Sequence, residues 1–169
     1  MNCGKVVETL REDLPLVFSK ELDYSIYAKN VTFYEDVLSN IRVQGIPHYK
    51  KLIKYSCSGI KLYYKDPKLD VLKITQRSPG VIVFRWTFSG TPRKLIPFLQ
   101  SKKPTVDIYE GVFVYVLNEK GWVCEHILER TIPPLSSFFR NLTSLFHAQL
   151  TPSVKFSTKT PPKDTNSLT

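Results

Sequence analysis

Long apolar runs are missing from this chain. The longest uninterrupted ones are a few residues, far short of the ~20 that a helix needs to cross a bilayer, so no transmembrane segment is expected. Cysteine is scarce as well. Cys3, Cys57 and Cys124 sit at spacings that match neither a CxxC redox pair nor a zinc framework, and an odd number of widely spaced thiols favours a reducing compartment. Zinc-finger, RNP, KH-type GxxG and basic leucine-zipper signatures are all absent, so no metal or cofactor is expected and no standard nucleic-acid module is present. The opening residues, with Glu8, Glu12 and Asp13, lack the basic, acid-poor character of a transit peptide. The expected location is intracellular, either cytoplasmic or mitochondrial with a leader already removed.

What is present fits one compact domain: 169 residues, 42% hydrophobic and 12% aromatic, enough bulky apolar surface for a real core. The formal charge is +9, and its distribution says more than its total. Residues 1–41 carry four basic and seven acidic side chains, whereas residues 42–73 carry eight and two. The positive excess is therefore concentrated in one short stretch.

Val6, Val7, Leu10, Leu14, Val17 and Phe18 recur at three- and four-residue intervals, which predicts a helix from Lys5 to about Phe18. Pro15 should kink or split it, having no amide hydrogen and crowding the preceding turn. Asp23 is placed to cap a short turn through Tyr24, Ile26 and Tyr27, and Val31–Tyr34 is rich in strand formers. Gly45 and Pro47 open a second helix with Ile46, Tyr49, Leu52, Ile53, Ser56 and Cys57 on one face and Lys50, Lys51 and Lys54 on the other. Beyond Asp66-Pro67 the period becomes strand-like, predicting strands over 69–76, 81–89, 108–117 and 122–130, with a basic connection over 91–106. In the second of these, Ile82, Phe84, Trp86 and Phe88 share one side, and Arg85 and Thr87 lie on the other. Helices followed by antiparallel strands predict an α+β domain over 1–132, the helices covering one face of a curved sheet. A Pro-initiated amphipathic helix is expected within 133–152, carrying Leu135, Phe138, Phe139, Leu142, Leu145, Phe146 and Leu150, and a disordered Ser/Thr/Pro/Lys tail over 153–169.

The segments Leu10–Phe18, Asp23–Tyr27, Val31–Phe33 and Arg85–Arg93, with Gly45, Tyr49 and His126, together resemble an uncharacterised family. It is a domain of unknown function in the nuclear-transport-factor-2-like (NTF2-like) superfamily, and it includes an animal protein named only for its open reading frame on human chromosome 6. The resemblance implies a cone, a bent antiparallel sheet wrapped around helices with a cavity at its open end. In that superfamily the cavity serves enzymes such as ketosteroid isomerase and scytalone dehydratase, and the same shell serves binding and dimerisation modules, so fold leaves function open.

Tyr27, Asp36, Arg85, Tyr109, Glu125 and His126 are the residues that could line such a cone as acid, base and anion clamp. Several features weigh against that role. Asp36 departs from the Asp-Pro that plant-like relatives carry. Glu125 and His126 are consecutive on a strand and point to opposite faces. Arg85 interrupts an apolar strand and can be matched by Asp107, Glu110, Glu125 or Glu129 across the sheet. A hydrogen-bonded structural His126 and core tyrosines are the plainer reading, and no catalytic residue is assigned. A second candidate is a basic surface made by Lys50, Lys51, Lys54, Lys61 and Lys65 (with Lys68) and by Arg93, Lys94, Lys102 and Lys103, suited to anionic lipid or RNA phosphates. The expected function is a binding or protein-interaction module with a small hydrophobic ligand in its cone and this basic patch, acting as a homodimer or with a protein partner. The alternative is an isomerase- or dehydratase-like enzyme using the cavity.

Overall fold

The structure, a computed structural model, describes residues 3–35, 41–93 and 106–132. Asp36, Lys94, Lys102, Lys103, the expected helix within 133–152 and the tail over 153–169 lie outside the described residues.

Helix α1 (Cys3–Asp13) buries Val6 and Leu10 and ends one turn earlier than its periodicity predicts, because Pro15 falls in a 3₁₀ turn over Leu14–Leu16. The chain then loops back on itself. The buried Asp13 carboxylate accepts the Asp23 backbone N–H at 2.5 Å and lies 3.4 Å from Lys20 Nζ, which ties the 17–23 loop to the end of α1. Asp23 caps the 3₁₀ turn Tyr24–Ile26 by accepting the Ser25 N–H at 2.8 Å. The Ser25 hydroxyl, together with that amide, holds the Asp23 carboxyl below its ordinary pKa.

Strands β1 (Tyr27–Glu35) and β2 (Ile41–Gln44) form an antiparallel pair before α2 (Ile46–Tyr63) begins. Gly45 precedes that helix at φ 90°, a conformation that favours glycine, and Pro47 sits in the first turn. Strands β3 (Tyr64–Ser78), β4 (Val81–Pro92), β5 (Asp107–Leu117) and β6 (Val123–Ile132) follow as an antiparallel meander. β3 starts earlier than expected. Asp66 takes up a left-handed backbone (φ 51°) within the register shift between Lys65 and Lys68, so Asp66-Pro67 is a bulge inside the strand and not its boundary.

The sheet order is β2-β1-β6-β5-β4-β3. One pairing differs from the all-antiparallel expectation: β1 lies parallel to β6. The crossover through α2 and the meander brings β6 back beside β1 in the same direction, a long-range outcome that strand periodicity does not encode. The inner face carries Ile82, Phe84, Trp86 and Phe88 of β4, Tyr109 and Tyr115 of β5, and Phe33 of β1, packed against Val6 and Leu10 of α1 and Tyr49 and Leu52 of α2. Trp86 lies directly over Gly111, its cross-strand neighbour on β5; a Cβ there would overlap the indole ring.

Candidate functional site

Two places in this fold gather chemistry. The first is the buried floor of the sheet. His126 of β6 lies in register with Phe33 on one side and Tyr115 on the other, so three strands deliver three rings to one level. The imidazole stacks on Tyr115 with centroids 4.4 Å apart, and meets Phe33 and Phe113 edge-on at 5.1 and 4.8 Å. From α2, Tyr49 Oη reaches 2.7 Å from His126 Nδ1, and it lies 3.4 Å from Tyr27 Oη. Burial holds His126 neutral, pushing its pKa down to about 3, and raises the phenols of Tyr27, Tyr49 and Tyr115. None of these groups changes charge near neutral pH. His126 Nε2 and Trp86 Nε1 are buried with no hydrogen-bond partner among the described residues.

The sequence-predicted cone residues divide. Tyr27 and His126 share the Tyr49 network. Tyr109 lies six residues along β5 from Tyr115, about 20 Å away at ~3.4 Å per residue, beside Phe88. Arg85 is on the outer face, 58% exposed and 3.5 Å from Glu110, one of the partners foreseen for it. Glu125 pairs with Val116 and faces away from His126. Strict alternation would place Cys124 and Trp122 on the His126 side, but a register shift beside Val116 and Leu117 sends Val123 into the core, and Cys124 Sγ donates to the Val116 carbonyl. Sequence reasoning did not find Tyr49 and Tyr115 as the partners of His126. The Tyr49 hydroxyl meets an imidazole 77 positions away and Tyr115 meets it by ring stacking, and only the aromatic character of the two tyrosines was visible.

The second place is a groove of about 370 Å³ between the 17–24 loop and α2. Its walls include Val17, Phe18, Leu22, Tyr24 and Ile53, and its rim carries Lys20, Lys50, Lys51, Lys54 and Lys61, with Glu21 as the one carboxylate. This volume is in the ~300–1,000 Å³ range of small-molecule sites. Lys50 Nζ sits 4.5 Å above the Tyr24 ring, a cation–π contact, and burial pushes the Tyr24 phenol up to about 12. Cys57 lies in the floor; burial pushes its thiol up to about 11, against the pull of Lys61, so it is no thiolate nucleophile at neutral pH. Lys51, Lys54 and Lys61 make no ion pair with the described residues. Arg93 joins this end of the helix by donating from Nε to the Lys61 carbonyl at 3.3 Å, where a cation meets the negative end of the helix dipole. Lys65 and Lys68 lie on β3, not on the helical face where their sequence neighbours suggested them.

Two helices on an unclosed, curved six-stranded sheet with a buried aromatic and histidine floor define an NTF2-like α+β domain. The chain belongs to the family described as "Uncharacterized conserved protein (DUF2358)", which it matches over residues 4–126. It is 30% identical over 131 residues to the "Uncharacterized protein C6orf136 homolog" of Macaca mulatta, covering 75% of each chain. It is also 30% identical to "Uncharacterized protein C6orf136" of Homo sapiens, where the match spans 75% of this chain and 41% of the human one. Among solved structures it resembles an NTF2-like protein of unknown function from Exiguobacterium sp. 255-15 (TM-score 0.51, 14% identity, 72% of this chain and 94% of that one). It also resembles SalBIII, an epoxide hydrolase/cyclase-like enzyme of pyran ring formation in salinomycin (TM-score 0.52, 14% identity, 74% and 89%). At such identities these two likenesses speak for the fold alone.

Proposed function

We propose that this domain is a binding module whose working surface is the lysine-rimmed groove between the 17–24 loop and α2, and that its partner is a polyanion. The observation that carries this role is the groove itself: five lysines around an apolar floor, three of them with no ion pair among the described residues. Fixed positive charge beside a concave apolar surface favours a ligand that brings both negative charge and apolar area. The cone floor then serves chiefly as architecture, since its histidine is neutral and tied to Tyr49, and Arg85 is on the opposite sheet face. Reversing Lys50, Lys51 and Lys54 to Glu is expected to abolish retention of the protein on heparin while leaving its unfolding temperature near that of the parent. Unchanged retention would exclude the groove.

One observation favours a second role, an enzyme of the cone that acts on a small hydrophobic molecule. Buried donors and acceptors usually have partners, and His126 Nε2 and Trp86 Nε1 have none among the described residues. A ligand carbonyl or a water could supply one. Uptake of a small ketone or lactone with quenching of Trp86 fluorescence, lost in His126→Phe, would favour that role over the groove.

A further inference from the structure

We infer that the polyanion met by this groove is the surface of an anionic phospholipid bilayer, with the outer face of α2 laid along the headgroups. This rests on the groove being the working surface and adds what it touches. At 100° per residue, Lys50, Lys54, Cys57 and Lys61 fall on one stripe of α2, and the stripe beside it carries Lys51, Tyr55, Ser58 and Leu62. The two stripes interleave cations, of which Lys51, Lys54 and Lys61 make no ion pair among the described residues, with solvent-exposed apolar surface. Leu62 is 68% exposed and Tyr55 44%, and Leu16, one residue before the groove wall begins at Val17, is 46% exposed. A nucleic acid or a soluble polyanion would satisfy the lysines and leave Leu62 in water. A bilayer interface satisfies both, because headgroup phosphates take the lysines and the acyl boundary takes the leucines. Lys50 to Lys61 spans about 16 Å of helix at ~1.5 Å per residue, a contact that lies along a surface. No helix among the described residues is long and apolar enough to cross a membrane.

The test uses the full chain with vesicles of phosphatidylcholine alone and of equimolar phosphatidylcholine and phosphatidylserine, beside a heparin column and poly(U) RNA. The unmodified protein is expected to sediment with the anionic vesicles and not with the neutral ones. Lys51→Gln with Lys54→Gln should lower vesicle partitioning about 30-fold, from about 1 kcal/mol for each lysine at an anionic surface, and should weaken heparin retention in parallel. Tyr55→Ser with Leu62→Ser keeps every charge. It should lower vesicle partitioning about tenfold or more through lost apolar burial and leave heparin retention unchanged. All four positions are exposed, and thermal unfolding of each variant reports whether the fold is kept. Wild-type sedimentation of the Tyr55/Leu62 variant overturns the bilayer while leaving the basic groove standing. So does heparin retention without vesicle binding, or displacement from vesicles by poly(U) at lower concentration than soluble phosphatidylserine. Heparin retention that ignores the lysine substitutions overturns the groove, and the bilayer with it.

Discussion

Acidification should destabilise this domain through one residue, His126. In the unfolded chain its imidazole titrates near ~6.5, while burial pushes the folded value down to about 3. The folded state therefore refuses a proton that the unfolded state accepts, and the stability held above pH 6.5 is lost as pH falls towards 3. Between pH 8 and pH 5 the loss is about 2 kcal/mol, growing to about 5 kcal/mol once the pH falls below the folded value. Carboxylates contribute mostly below this window, because Asp23 and Glu129 are held below their ordinary values by Ser25 and Arg77 respectively. The assay is urea unfolding at pH 8, 6 and 5, comparing the parent with Tyr49→Phe/His126→Phe. That double substitution replaces both hydrogen-bonding partners with apolar rings of similar shape, a change that can be nearly neutral. Apart from a pH-independent cost for the Tyr27 hydroxyl, which loses its 3.4 Å contact with Tyr49 Oη, it should keep its stability at pH 8 and shed the pH dependence above pH 5. Tyr49→Phe alone leaves His126 Nδ1 buried and unpaired and should cost about 1–3 kcal/mol at every pH in the window. Equal loss of stability in the parent and the double variant between pH 8 and 5, or an imidazole titrating near 6 by NMR, would refute the reasoning.

Gly111→Ala should force the Trp86 indole from its seat, at a cost of about 1–3 kcal/mol. Tryptophan emission should shift to the red, and an unchanged unfolding midpoint would show that β4 and β5 separate more easily than their register indicates. Asp13→Ala removes the acceptor of the Asp23 amide and the Lys20 contact, so it should cost about 1–3 kcal/mol for the part-buried hydrogen bond lost. Because that hydrogen bond holds the loop forming one wall of the groove, heparin retention should weaken too; hydrogen exchange at residues 17–23 measures the loosening directly.

Much of this fold was legible because its signals are short-range. The 3.6-residue period of Val6 and Leu10, the Asp23 cap and the Gly45-Pro47 helix start each depend on residues within a turn or two of one another. Alternation in β4 likewise separated Arg85 from Phe84 and Trp86, and the lysines of α2 fell on one side of a readable helix. β2 escaped notice because four residues, Ile41–Gln44, are too few to establish a period before the helix begins.

Residue order also set the charge distribution and the aromatic supply, since both are properties of the chain before it folds. The tertiary arrangement decided which of those groups meet. A bulge of one residue reversed the company of Cys124 and Val123, the parallel pairing of β1 with β6 set Phe33 against His126, and α2 carried Tyr49 across 77 positions to the same imidazole. Folding of the 17–23 loop onto Asp13 turned a lysine-bearing helix face into a groove with a second wall. Each of these contacts closes a long loop of chain. Its energy comes from burial, and burial exists only once the sheet has curved around the helices.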